Sequence, residues 1–261
     1  MNTKYTSEIT CYEQPLNERM RTFLRFEQLA SRFKFFSGRD NSFDSHAALM
    51  SLIEILSLVS RGDLKQELLK EIKRQTDILD QLKNNPKLND AKLIQILTKQ
   101  KLIFDRLHTF RGQLGSHLKS NAFISSIRQR SAIPGGTCHF DLPEYHHWLA
   151  QPYTLRKKAL LHWIAPFEIV QEGLSYTLKL IRESTPYSEK IAHKGFYDQN
   201  LDLSQANQLI RIGVSNDKNN FPECSAGKHR FSIRFLEQPD PNSSPKQCRR
   251  DIEFKLACCI F

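Results

Sequence analysis

The spacing of apolar residues changes once along this chain, near Pro186, and that change narrows the fold to few classes. Upstream, apolar residues recur every three to four positions, the period of a helix. Downstream they alternate, the period of a half-buried strand. Helices followed by strands read as α+β, with a helical region and a mainly antiparallel β-sheet region.

The helical part can be followed residue by residue. Pro15-Leu16-Asn17-Glu18 opens a segment with Met20, Phe23, Leu24, Leu29 and Phe33 at helical spacing, and Gly38 and Asn41 mark a loop after it. Residues 43–59 are apolar nearly all round, as in a buried helix. Arg61-Gly62-Asp63 reads as a stop followed by a new N-cap. Leu64, Leu68, Ile72, Leu79 and Leu82 then form one stripe that ends at Asn84-Asn85-Pro86. A partner helix from about Asp90 to Leu107 completes an antiparallel hairpin. Its narrow stripe suits an intrachain bundle or a dimer seam equally. Helical spacing returns at 121–130 and from Pro152 to Ser184, where Pro166 should kink or split the helix.

Strands are expected at 189–197, 208–214, 229–237 and 249–257. The last two would pair as a hairpin across the loop 238–245. Ile9–Tyr12 and Thr137–Phe140 offer two more routes into the sheet. Between helix and sheet stands Pro134-Gly135-Gly136. It should turn the chain sharply, because proline fixes φ and glycine admits φ > 0. Beside Arg128 and Arg130 such a turn suggests an anion-recognition corner, for a nucleotide, a nucleic acid or an acidic peptide.

Thirty-eight basic residues against 28 acidic ones give +10, spread along the chain and not gathered in a tail. Folded basic surfaces with an acidic partner are the expectation. The first residues lack the apolar core of a signal peptide, and Ala47–Val59, broken by Ser51, Glu54 and Ser57, reads as too short and polar to span a bilayer. A cytoplasmic protein with six reduced cysteines is expected, since none forms a C-x-x-C pair.

Alternation places Arg230, Ser232 and Arg234 opposite Phe231, Ile233 and Phe235. Arginine forks suit carboxylate or phosphate; the plainer reading pairs these two with Asp251 or Glu253 across the hairpin. Arg21 and Arg25 form one ridge on the first helix, and on its own such a ridge is a solvated face. Cys138, His139, His146 and His147 do not follow zinc-ligand spacing, so no metal is expected. A nucleophile elbow and a P-loop are both absent, so no enzyme is expected. Arginines interleaved with phenylalanines keep nucleic acid open as the rival partner, although the alternation turns the rings away from the guanidinium groups.

Several stretches together resemble the ZapD family. They are Pro15-Leu-Asn-Glu-Arg-Met-Arg-Thr-Phe-Leu-Arg25, Arg61-Gly62, Glu67-Leu-Leu-Lys-Glu71, Ile127-Arg-Gln-Arg-Ser-Ala-Ile-Pro-Gly-Gly136, Phe140-Asp-Leu-Pro143, His146 with Trp148-Leu149, Gly195-Phe-Tyr197, Arg230-Phe-Ser-Ile-Arg-Phe235 and Leu256-Ala-Cys-Cys259. The match is ordered and runs from about residue 12 to 259. It implies a homodimer without catalytic activity or cofactor. Such a dimer binds the C-terminal tail of FtsZ, cross-links protofilaments and stabilises the division ring at midcell in the cytoplasm, with no membrane partner. The dimerisation region would be helical, over 13–118 and 152–185. A β-rich partner-binding region would take 1–12, 119–151 and 186–261. The family's basic tail pocket falls on Arg25, Arg130, His146, Arg230 and Arg234, with Arg21, Arg61 and Arg128 as second choices. The resemblance makes the Pro134-Gly135-Gly136 turn the hinge where helix hands over to sheet, holding Arg130 and His146 beside the strand that carries Arg230 and Arg234. Tyr145 and His147 stand where the family more often has apolar residues.

Overall fold

The computed structural model describes residues 9–82, 90–216 and 219–261. The expected stop at Asn84-Asn85-Pro86 lies outside them. The chain forms two compact units, residues 22–177 and residues 1–21 with 178–261, and passes between them within two helices.

The first unit is helical. Its elements are α1 (Glu18–Ser37), α2 (Ser42–Ser60), α3 (Leu64–Gln81), α4 (Asp90–Thr109), α5 (Ser116–Lys119), α6 (Ala122–Arg130), α7 (Pro143–Ala150), α8 (Tyr153–Ile164) and α9 (Glu168–Glu183). The first four residues of α1, 18–21, and the last six residues of α9 fall on the far side of the division. Asn41 and Asp63 cap α2 and α3, their side chains accepting from the Phe43 and Gln66 N–H groups. Pro166 splits the long helical stretch, as its missing N–H requires: a 3-10 turn, Ala165–Phe167, separates α8 from α9. α2 is longer than the apolar run marked in the sequence. By length and composition alone its 19 residues could cross a membrane, yet half of the stretch is buried inside the unit. Leu49, Leu52, Ile55 and Leu56 are almost wholly enclosed.

α3 and α4 run antiparallel, because bonds join Lys65 to Phe110 and Thr76 to Gln100. Their interface is not purely apolar. Gln75 and Gln100 are buried and bond each other at 3.1 Å, and Glu71, fully enclosed, accepts from Arg74 and Gln75. α9 is tied to α4 by Glu172, which accepts from Lys99 and Arg106.

The second unit is a sandwich of two antiparallel sheets. One has the order β1 (Ile9–Pro15), β4 (Asn207–Ser215), β8 (Ile252–Ile260), β2 (Ser188–Ala192). The other has the order β3 (Phe196–Asn200), β6 (Arg230–Glu237), β5 (Phe221–Ala226), with β7 (Lys246–Gln247) also on β6. Ile210, Ile212, Phe254 and Leu256 from the first sheet enclose a core with Phe231, Ile233 and Phe235 from the second. The rings of Phe235 and Phe254 meet at 5.0 Å. Glu13 on β1 accepts two bonds from Arg182 and one from Arg211, so a carboxylate little exposed to water is matched by two guanidinium groups.

Four expectations need correction. β6 and β8 form no hairpin; they lie in different sheets, because alternation selects a face and not a neighbour. The stretch 189–197 is two strands, split at a turn where Lys194 and Gly195 both have positive φ. A Cβ on Gly195 would come within 2.6 Å of the Cys248 carbonyl oxygen, so only glycine fits there. Residues 137–140 are turns and 143–150 are α7, so 119–151 holds helices and turns without a strand and belongs with the helices, not with the β-rich region. Residues 13–21 and 178–185, expected with the helices, fall in the sandwich unit, because β1 runs on to Pro15 and pairs with β4.

Candidate functional site

On β6 the alternation holds. Phe231, Ile233 and Phe235 are buried, while Arg230 and Arg234 are exposed on the outer face. Register supplies their neighbours. Arg234 stands between Phe196 of β3 and Glu223 of β5, Ser232 between Asp198 and Ser225, and Arg230 beside Asn200. Arg234 pairs with Glu223 at 2.5 Å, both more than half exposed. Of the expected partners, Glu253 lies on β8 in the other sheet and Asp251 immediately precedes that strand. Asp251 instead accepts the Lys194 N–H and a bond from His193 Nδ1, and these two bonds, in that order, pull its pKa below the usual carboxylate value. Sequence reasoning missed Glu223 and Phe196. Pro222 hid strand β5, since proline inside an alternating run argues against a strand unless it is an edge, as this one is.

In the helical elements, Arg21 and Arg25 lie one turn apart on α1, where Arg21 bonds Glu18 at 2.5 Å. Arg61 closes α2 and lines a recess of about 450 Å3 at the start of α3. Arg128 and Arg130 occupy the last turn of α6, where positive charge complements the helix dipole. Among the described residues, Arg25, Arg61, Arg128 and Arg230 pair with no carboxylate, which leaves their guanidinium groups to solvent or a partner.

The Pro-Gly-Gly corner does turn the chain, but from helix to helix. Successive bonds from Ile133 N–H to Arg130 O, Gly136 N–H to Ile133 O and Cys138 N–H to Gly135 O wind residues 130–138 tightly. A Cβ on Gly136 would lie 2.4 Å from the Arg130 oxygen. The winding brings Asp141 within 3.4 Å of Arg130 and the His139 ring to 5.7 Å from His146. Beside His146 is a cavity of about 380 Å3 lined by Phe43, His46, Tyr145 and Leu149. Tyr145 is buried there and bonds His46 Nδ1 at 2.7 Å. Burial lowers the His46 pKa and raises that of Tyr145, so the pair is a neutral bond that supports the wall.

Burial pushes Cys224 and Cys259 up to about 11, so both remain thiols at neutral pH. Among the described residues no three of His, Cys, Asp and Glu cluster as metal ligands would.

A family model described as "ZapD: Cell division protein" matches residues 24–234. The cell division protein ZapD of Nitrosomonas eutropha is 39% identical over 249 residues, covering 95% of this chain and 98% of its own length. That of Methylococcus capsulatus is 39% identical over 250 residues, covering 96% and 98%. That of Chromobacterium violaceum is 36% identical over 250 residues, covering 96% and 99%. The match takes in both the helical unit and the sandwich, nearly end to end, and the chain therefore belongs to the ZapD family of cell division proteins.

Proposed function

We propose that this chain is a non-catalytic adaptor of the division ring. It binds the C-terminal tail of FtsZ and, as a homodimer, cross-links and bundles FtsZ protofilaments at midcell in the cytoplasm. The tail is taken by Arg25, Arg130, His146, Arg230 and Arg234, with Arg21, Arg61 and Arg128 in support.

The observation that carries this reading is the outer face of β6. Two exposed guanidinium groups stand on a strand whose other face is packed into the sandwich core, so they are presented on a rigid support. Arg230 has no carboxylate partner among the described residues, and the Arg234–Glu223 pair is exposed. Exposed pairs contribute about 0–1 kcal/mol, so an acidic peptide can replace Glu223 at little cost. Burial of Phe231 and Phe235 takes the rings of β6 itself out of reach, and Phe196 alone stands exposed beside Arg234, fewer rings than a nucleic-acid stacking platform uses, which favours the peptide over the rival partner. Two sites per dimer, facing filaments that each display many tails, raise weak single-site binding by avidity.

Co-sedimentation with FtsZ, with and without its C-terminal tail, tests the reading. Bundles should pellet only with the tail present. Arg25→Ala combined with Arg234→Ala should weaken bundling at least several-fold while the dimer, measured by analytical ultracentrifugation, is unchanged. Wild-type bundling by that double variant would remove these two arginines from the site. An oligonucleotide titrated under the same salt should not compete.

A further inference from the structure

The second sheet has two edges, and they are finished differently. At the β5 edge, the Phe235 N–H donates to Gly195 O at 2.8 Å, and Phe235 O accepts the Cys248 N–H at 2.9 Å. Both Phe235 peptide groups thus face β3 and β7, so Pro222, opposite Phe235, points its nitrogen at the free edge. Proline there presents no donor and blunts the edge.

The β3 edge lacks such a guard. Leu201 N–H donates to His229 O at 2.8 Å, in phase with the Gly195–Phe235 bond. Tyr197 and Gln199 therefore answer β6, while Asp198 and Asn200 turn their N–H and C=O groups outward. Among the described residues β3 pairs with β6, and its only other pairing is a single bridge from Phe196 to His193, whose oxygen accepts the Phe196 N–H at 3.0 Å; beyond it the edge is open, and Phe196, Asp198 and Asn200 are exposed. Their side chains share the outer face with Arg234, Ser232 and Arg230. Exposed Lys194 precedes the strand.

We propose that an extended acidic peptide binds by adding a strand along the open edge of β3. The inference rests on the tail-binding reading above and adds how the tail is held. Main-chain bonds to Asp198 and Asn200 supply the ladder. An added strand lies two strand spacings, roughly 10 Å, from β6, within reach of Arg230 and Arg234 for carboxylates on its outward-facing residues. Lys194 extends the positive field at one end. Asp198 sets a rule of its own: the peptide residue beside it is uncharged or basic, with acidic residues flanking it.

The test is a fluorescence anisotropy titration of the full chain with the FtsZ tail peptide, unmodified and singly N-methylated at each backbone nitrogen. Alternate nitrogens over about five residues should each cost about tenfold in affinity when methylated, the intervening ones less than about twofold. Asp198→Pro, which removes an outward donor and no ladder bond to β6, should weaken binding similarly. Asp198→Ala, which keeps the outward N–H and removes the carboxylate that repels an acidic peptide, should tighten binding, and a loss of affinity like that of Asp198→Pro would count against the added strand. Insensitivity to every methylation, or sensitivity spaced by three to four residues, would overturn the added strand while leaving tail binding intact. An unmodified peptide that does not bind overturns both readings. Loss of the dimer in Asp198→Pro, with peptide affinity unchanged, would assign the edge to a second copy and overturn the proposal.

Discussion

Glu172 shows how one side chain joins two helices and makes the joint pH-dependent. The hydrogen bond from Lys99 is the largest influence on it, and with Arg106 it outweighs burial, so the folded pKa lies below the ordinary 4.5. A depressed carboxylate pKa lends stability that is complete above the unfolded value and is lost as pH falls through the folded one. Glu172→Gln should therefore lower urea stability by about 0.5 kcal/mol at pH 7, the scale of a part-exposed pair. The gap to wild type should narrow as pH falls below the ordinary carboxylate value and close once Glu172 is protonated in the folded chain as well. Gly195 acts through backbone alone: Gly195→Ala should cost about 2–3 kcal/mol, combining strain at φ 73° with the clash against the Cys248 oxygen, as thermal unfolding would show. Residues whose role is local were legible in the sequence: Asp63 reads as an N-cap because its partner is three positions away. Glu223 and Glu13 were not, because their arginines arrive from strands or helices that no local rule identifies.

At the scale of elements, helices with a single apolar stripe could be read almost to the residue. The helix from Asp63 and its partner from Asp90 are both present, as is the break at Pro166. α7 escaped because its eight residues begin on Leu142-Pro143, which reads as extended until the proline is seen at the first helical position. Strand membership was legible and strand partnership was not. Cys258 and Cys259 do alternate across β8, but the sheet that β8 joins is decided by burial on both sides. The α3–α4 pair carries a polar signature that periodicity ignores. Gln100→Ala would leave the buried Gln75 amide and the Thr76 hydroxyl each short of a partner. It should cost about 2 kcal/mol in chemical denaturation, with the secondary structure unchanged by circular dichroism.

For the molecule as a whole, the basic excess is spread over both units, and the residues proposed for the tail come from both. Binding of an acidic peptide by such a surface should be strongly screened. Affinity for the FtsZ tail should fall at least several-fold between about 0.05 and 0.3 M salt, measured by anisotropy. Unchanged affinity would favour apolar anchoring over charge.

The order of the strands also bears on how the protein is made. β1 pairs with β4, about 200 residues further along, and β8 must slide between β4 and β2 before that sheet is complete. At about 5–20 residues per second of synthesis, β1 waits roughly 10–40 s for its neighbour. The helical unit, contiguous from 22 to 177, is translated whole within that interval. A ribosome that stalls before residue 252 thus leaves a folded bundle carrying an unfinished sandwich. The open edge of β4 in such a product marks it for chaperones and proteases.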